Sequence, residues 1–184
     1  MHFNQGYSSY ISLLFSSIAT AVLLVIYFSV VYGRFTKGRT SSLKYLRRRF
    51  AVAFVFVGGF VLYGLVFLST SNSKTTEVNQ EFYSLQPILR LGSSTLFLLD
   101  RKAIVNDASR MPEDYSKMGL KTNARSLHFK QKDGFAYALD LRTKGRSELR
   151  NSLLRGYYWL MGFKTIRHVG TADHLHVYMP CRYR

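Results

Sequence analysis

Two long stretches without a charged side chain dominate the first part of this chain and limit what it can fold into. Ile11 to Gly33 runs 23 residues, and Phe50 to Ser69 runs 20, with no Asp, Glu, Lys or Arg in either. At 1.5 Å of rise per residue, roughly 20 apolar residues in a helix cross about 30 Å of hydrocarbon. Neither stretch shows the polar face that a helix on a globular surface keeps, so both are read as transmembrane helices. The residues before the first, Met1-His-Phe-Asn-Gln-Gly, carry no Lys or Arg, and the apolar run is too long for the core of a signal peptide. A retained anchor is expected.

Between the two stretches, residues 34–49 hold seven cations: Arg34, Lys37, Arg39, Lys44, Arg47, Arg48 and Arg49. Short loops this basic stay in the cytoplasm, which places both termini on the opposite side. The expected location is the inner membrane of a bacterium, with the C-terminal part in the periplasm. A nucleic-acid tract could have the same letters, but a position between two spans makes topology the simpler cause, and no nucleic-acid partner is expected. The chain therefore divides into a two-helix anchor over residues 1–69, a polar linker over 70–80, and one domain over 81–184.

That remainder is large enough for one hydrophobic core and too small for two. From residue 70 onward it carries 19 Lys/Arg against 10 Asp/Glu, a formal net of +9. Such a surface suits anionic polymers of the cell envelope. The single cysteine, Cys181, excludes an intrachain disulfide and any cysteine-rich metal site.

The pattern predicts an α+β domain with a small antiparallel sheet and flanking helices. Residues 81–99 hold two apolar clusters around Pro87 and Gly92, compatible with short strands or with a helix. Ala103-Ile-Val-Asn reads as a short strand. Pro112-Glu-Asp opens a short helix that Gly119 ends, because proline and acids suit a first turn. In Gly134-Phe-Ala-Tyr-Ala-Leu-Asp140-Leu, strand alternation would turn Phe135, Tyr137 and Leu139 one way and Ala136, Ala138 and Asp140 the other. Ser147 caps a helix whose apolar positions Leu149, Leu153, Tyr157 and Leu160 are expected to pack, with Arg146, Arg150 and Asn151 on the wet side and Gly162 as the stop. Tyr157, Tyr158 and Trp159 are read as packing against the sheet. In the final strand, His174-Leu-His176-Val-Tyr, the two histidines share one face and Leu175 and Val177 point into the core. His168 is read as a surface or supporting residue.

His128, Asp140 and His176 together offer two imidazoles and a carboxylate, the donor set of a zinc site with one open position. From Asp107 to Val177 the chain resembles the LAS metallopeptidases, and within them the branch of D-alanyl-D-alanine carboxypeptidases and phage endolysins that cleave L-alanyl-D-glutamate bonds. The resemblance rests on Asp107-Ala-Ser-Arg110, on Ser126-Leu-His128 with Gly134-Phe-Ala-Tyr-Ala-Leu-Asp140-Leu, and on Asp173-His-Leu-His176. It implies a Zn2+ ion bound by His128, Asp140 and His176, a general base in Asp173, and substrate contacts from Arg110 and Ser126. The chain departs from the family in placing His128 and Asp140 twelve positions apart, with Phe129-Lys-Gln-Lys-Asp133 as an insertion. A longer loop between two strands closes at modest entropic cost.

Two candidates compete for the base. Motif spacing favours Asp173, whereas strand alternation puts Asp173 opposite His176 and favours His174. The resulting expectation is a membrane-anchored, zinc-dependent peptidase acting on peptidoglycan stem peptides. The alternatives are a non-catalytic cell-wall binder that keeps the fold, and a structural member of an envelope complex in which the helices are the functional part.

Overall fold

Leu139, Leu141, Leu175 and Val177 expose no surface at all, and they explain the arrangement of the C-terminal part. They lie on one face of two paired strands, β2 (Ala138–Arg142) and β4 (His174–Tyr178), in a computed structural model that describes residues 8–35, 43–117, 119, 121, 123, 125–170 and 172–180. Burying each such side chain contributes about 1.5–3 kcal/mol. Two further strands, β1 (Val105–Asp107) and β3 (Lys164–His168), complete a four-stranded sheet of order β1-β2-β4-β3, antiparallel throughout. The expected α+β class and small antiparallel sheet are present.

By its contacts the chain divides near residue 64 into two compact units. The first holds helix α1 (Ser9–Phe35) and most of α2 (Leu43–Val66), the two helices long and apolar enough to cross a membrane. Ala21, Val25 and Ala53 bury against each other there, joined by Leu24 and Val57. Cys181 and residues 36–42 between the helices lie outside the described residues, whereas Lys44, Arg47, Arg48 and Arg49 of the basic stretch fall within the first turns of α2.

In the second unit the stretch read as a linker is folded. Thr70–Asn72 forms a 3-10 turn, and α3 (Thr76–Phe82) starts at a Thr75 cap whose side chain accepts the Val78 N–H. Asn72 is buried and donates to the carbonyls of Arg101 and Ala103, and the Lys74 N–H bonds the Val105 carbonyl. The stretch undecided between strands and a helix becomes α4 (Pro87–Leu99). Gln86 caps it, accepting the Ile88 and Leu89 N–H groups, and Pro87 stands in the first turn, where its missing donor costs nothing.

Helix α6 (Glu148–Leu160) begins at Ser147 as expected, and Gly162 follows its end with a positive φ of 84°. Its packed face differs from the expected one. Asn151, Leu154 and Tyr158 are buried, while Leu149 and Leu153 are 72% and 64% exposed and Trp159 also faces out. Both stripes have helical spacing, so periodicity cannot choose between them. The choice is made by Tyr158, which reaches Ser93 Oγ at 3.0 Å and packs edge-on against Phe163, and by Asn151, whose amide approaches the Thr143 carbonyl.

Candidate metal centre

The site lies on the sheet face opposite the aliphatic core. Strand pairing sets Asp140 directly across from His176, so alternation places both side chains on this face. His174 and Tyr178 follow on β4, and Ile166 and His168 oppose His176 and His174 from β3. Strand β1 adds Asp107 through an irregularity. Val105 pairs with Leu141 and Asp107 with Asp140, so the register shifts by one between them and turns Asp107 from the core face to the site face.

His128 arrives from a loop rather than a strand. Its insertion, residues 129–133, is closed by its own bonds: Gln131 N–H to the Phe135 carbonyl, Gln131 Nε2 to the Phe129 carbonyl, and Tyr137 OH to Asp133. The Tyr137 N–H returns to the Leu127 carbonyl, so the extra residues bulge outward and leave His128 beside the sheet. Ser126 works at this same loop. Its Oγ accepts from Tyr115 OH at 2.7 Å and from the His128 N–H at 3.3 Å, which makes it a buried anchor for His128. Tyr115 comes from α5 (Pro112–Lys117), the short helix foreseen from Pro112 and its acids.

Three donor atoms converge. His128 Nε2 is 3.2 Å from His176 Nδ1 and 3.4 Å from Asp140 Oδ1, and His176 Nδ1 is 2.8 Å from Asp140 Oδ1. Donors about 2.0–2.1 Å from a tetrahedral zinc lie roughly 3.3 Å from one another, so the triangle has the size of one face of such a site. Surrounding groups fix two of the three donors. His128 Nδ1 donates to the Ala108 carbonyl at 2.9 Å, which leaves Nε2 as the lone-pair atom facing the cluster. Asp140 Oδ2 accepts from Arg110 Nη2 at 2.9 Å, which presents Oδ1 alone to the cluster. Among the described residues this is the one group of His, Asp, Glu or Cys that could hold a metal ion.

The electrostatics agree with a site for a cation. Although burial alone would raise it, the Asp140 carboxyl is held far below the usual range by hydrogen bonds and charge from His128 and His176. Burial would likewise lower the His128 imidazole, but the bond and charge of Asp140 raise it. Asp107 goes the other way: burial pushes it up, against Arg110 and His128. Its Oδ1 is buried without a hydrogen bond and stands 3.7 Å from His128 Nδ1.

Searches of protein-family profiles, of curated proteins and of solved structures find no match. The chemistry of this site therefore rests on its own geometry.

Arg110, expected to contact substrate, is engaged with the protein. Nε bonds Asp107 Oδ2 at 2.7 Å while Nη2 holds Asp140, and the guanidinium packs over the Tyr115 ring. It lines the cavity wall but acts first as a clamp on two carboxylates. Asp173 is also spoken for. Its Oδ1 accepts from Thr143 Oγ1 at 2.5 Å and from Arg167 Nε at 3.2 Å, and its Oδ2 accepts from Arg167 Nη2 at 3.0 Å. Arg167 in turn pairs with Glu148 at the start of α6. Asp173 thus ties β4 to β3 and α6, and it lies outside the cavity lining.

His174, the other candidate for the base, lines the cavity. Its Nδ1 donates to the Ala172 carbonyl at 2.5 Å, and its Nε2 faces Asp140 Oδ2 at 3.8 Å. The cavity containing His128, Asp140, His174 and His176 measures about 630 Å³. Lys74 and Arg125 add cationic side chains to its wall, and His168 stacks on His174 with ring centroids 4.8 Å apart. Sequence reasoning missed Asp107, Tyr115 and the cavity position of His168. A strand pairing of His168 with His174 was the only signal available for the last, and it needs the sheet order to be known.

Proposed function

We propose that this chain is a membrane-anchored, zinc-dependent peptidase of the LAS type that cleaves peptidoglycan stem peptides from the periplasmic side. The convergence of His128 Nε2, Asp140 Oδ1 and His176 Nδ1 on one small triangle, with the second heteroatoms of His128 and Asp140 held by the Ala108 carbonyl and by Arg110, carries this reading. A zinc ion there supplies Lewis acidity toward the scissile carbonyl and a water acidic enough to act near neutral pH.

The remaining work falls to the side chains around the triangle. His174, with Nδ1 engaged by the Ala172 carbonyl, keeps the Nε2 lone pair on the cavity side and takes the proton, then returns it to the leaving amine. Arg110 orients Asp140. Lys74 and Arg125 provide the positive wall that a peptide carboxylate requires. The two apolar helices serve as the anchor, with the basic loop in the cytoplasm.

Alanine in place of His176 tests the proposal. The purified full chain should bind one zinc and release fragments from muropeptides, and His176→Ala should lose both. Full cleavage by the variant would end the peptidase reading, whereas zinc binding by the parent without any cleavage would leave a metal-bearing wall binder.

A further inference from the structure

The hairpin of α1 and α2 holds a feature that the peptidase reading does not use. Helix α2 presents Tyr45, Arg48, Arg49, Val52, Ala53 and Phe56 along one stripe, and with Leu24 and Phe28 of α1 they enclose a cleft of about 690 Å³. Its two ends differ in chemistry. From Val52 to Phe56 the wall is aliphatic and aromatic, whereas Arg48 and Arg49 stand together at the end nearer the basic loop. Arg49 to Phe56 covers about 10 Å of helix, so the apolar part is long enough for several methylenes of an acyl chain.

Arg49 is held in place by the other helix: Nη1 donates to Ser29 Oγ at 3.0 Å. The packed residues below it step by four on both helices, Val25 and Ala21 on α1 against Ala53 and Val57 on α2, which keeps the helices close and the Arg49 guanidinium fixed above them. A guanidinium has five donors in a planar fork, and one donor on a hydroxyl leaves the rest for a phosphate. No acidic side chain occurs before Glu77, so nothing in this hairpin neutralises the pair.

We propose that the cleft is a binding site for one anionic phospholipid, its phosphate between Arg48 and Arg49 and one acyl chain along Val52, Phe56, Leu24 and Phe28. Charge complementarity selects this occupant. A wall apolar over two helical turns and dicationic at one end matches a lipid of the leaflet facing the basic loop, and it matches neither a zwitterionic lipid nor a soluble anion as well. The inference rests on the reading that α1 and α2 span a bilayer.

Native mass spectrometry of the full chain, extracted from membranes in mild detergent and titrated with phosphatidylglycerol or phosphatidylcholine, tests it. One phosphatidylglycerol should be retained in preference to phosphatidylcholine, with affinity falling about thirty-fold in the Arg48→Gln/Arg49→Gln double variant. Val52→Trp, which fills the apolar half and keeps both arginines, should also lose the lipid. Arg47→Gln, which removes a neighbouring cation outside the cleft, should keep it. Equal retention of the two lipids, an equal loss in Arg47→Gln, undiminished binding in Val52→Trp, or displacement by millimolar sn-glycerol 3-phosphate would each overturn the proposal. Release of the chain from membranes by alkaline carbonate would instead overturn the spanning reading itself, so the two failures are distinguishable.

Discussion

Arg110 carries more of the site than any other side chain that is not itself a candidate ligand. One fork holds Asp107 and Asp140, both largely buried, and replacing it with methionine leaves two carboxylates without their partner. We expect Arg110→Met to weaken metal binding by about 10–100-fold and to destabilise the fold, and Arg110→Lys to rescue little, since a point charge cannot serve two acceptors at once. Metal titration of the two variants, alongside thermal unfolding, checks this. His174 and Asp173 should separate cleanly. His174→Ala should cut turnover by about 10²–10⁴ while keeping metal and stability, and Asp173→Asn should lower stability with a smaller effect on turnover. The reverse pattern in the two variants would return the base to Asp173. At this scale the sequence shows what residue type and strand alternation can show. His128, Asp140 and His176 are legible because few other residues have their donor atoms, and His174 because it shares a face with His176. The bond of Arg110 to Asp140 is not legible, because the two lie 30 positions apart and local pattern does not join them.

Among the elements, α6 is the instructive case. Its boundaries follow from Ser147 and Gly162, whose chemistry is local, whereas its packed face follows from Ser93 and Phe163, which are not. Leu154→Ala should therefore cost about 2–5 kcal/mol, and Leu153→Ala should stay within about 0.5 kcal/mol, as denaturant unfolding of each will show. A larger cost at Leu153 than at Leu154 would put the helix in the rotation that its leucine spacing suggests. The stretch before α4 makes the same point in reverse. Gln86-Pro87 is a readable start signal, but the apolar clusters on either side fit strands as well, and only burial against the sheet core decides for a helix. Strand β1 could be located from its β-branched residues, yet the register shift that aims Asp107 at the site depends on its pairing with β2.

For the molecule as a whole, the opposed shifts at the site predict a pH dependence with a definite sign. Asp140 and Asp173 have lowered folded values, through the histidines and through Arg167 respectively, so their contribution is fully present above about pH 4 and is lost as pH falls through the folded values. His128 is raised in the metal-free chain, so its contribution is fully present below about pH 6.5 and is lost as pH rises through its folded value. The metal-free chain should thus be most stable between those limits. Metal binding needs His128 neutral and should strengthen over the range in which that stability declines. Zinc-dependent thermal shifts that grow as pH rises above about 6.5 would show it. Zinc stoichiometry, measured by elemental analysis on the purified full chain and on its His176→Ala variant at pH 8, tests the metal centre most directly. One zinc per chain is expected in the parent and none retained in the variant. A folded parent that takes up no zinc, or a variant that keeps it, would contradict the metal centre.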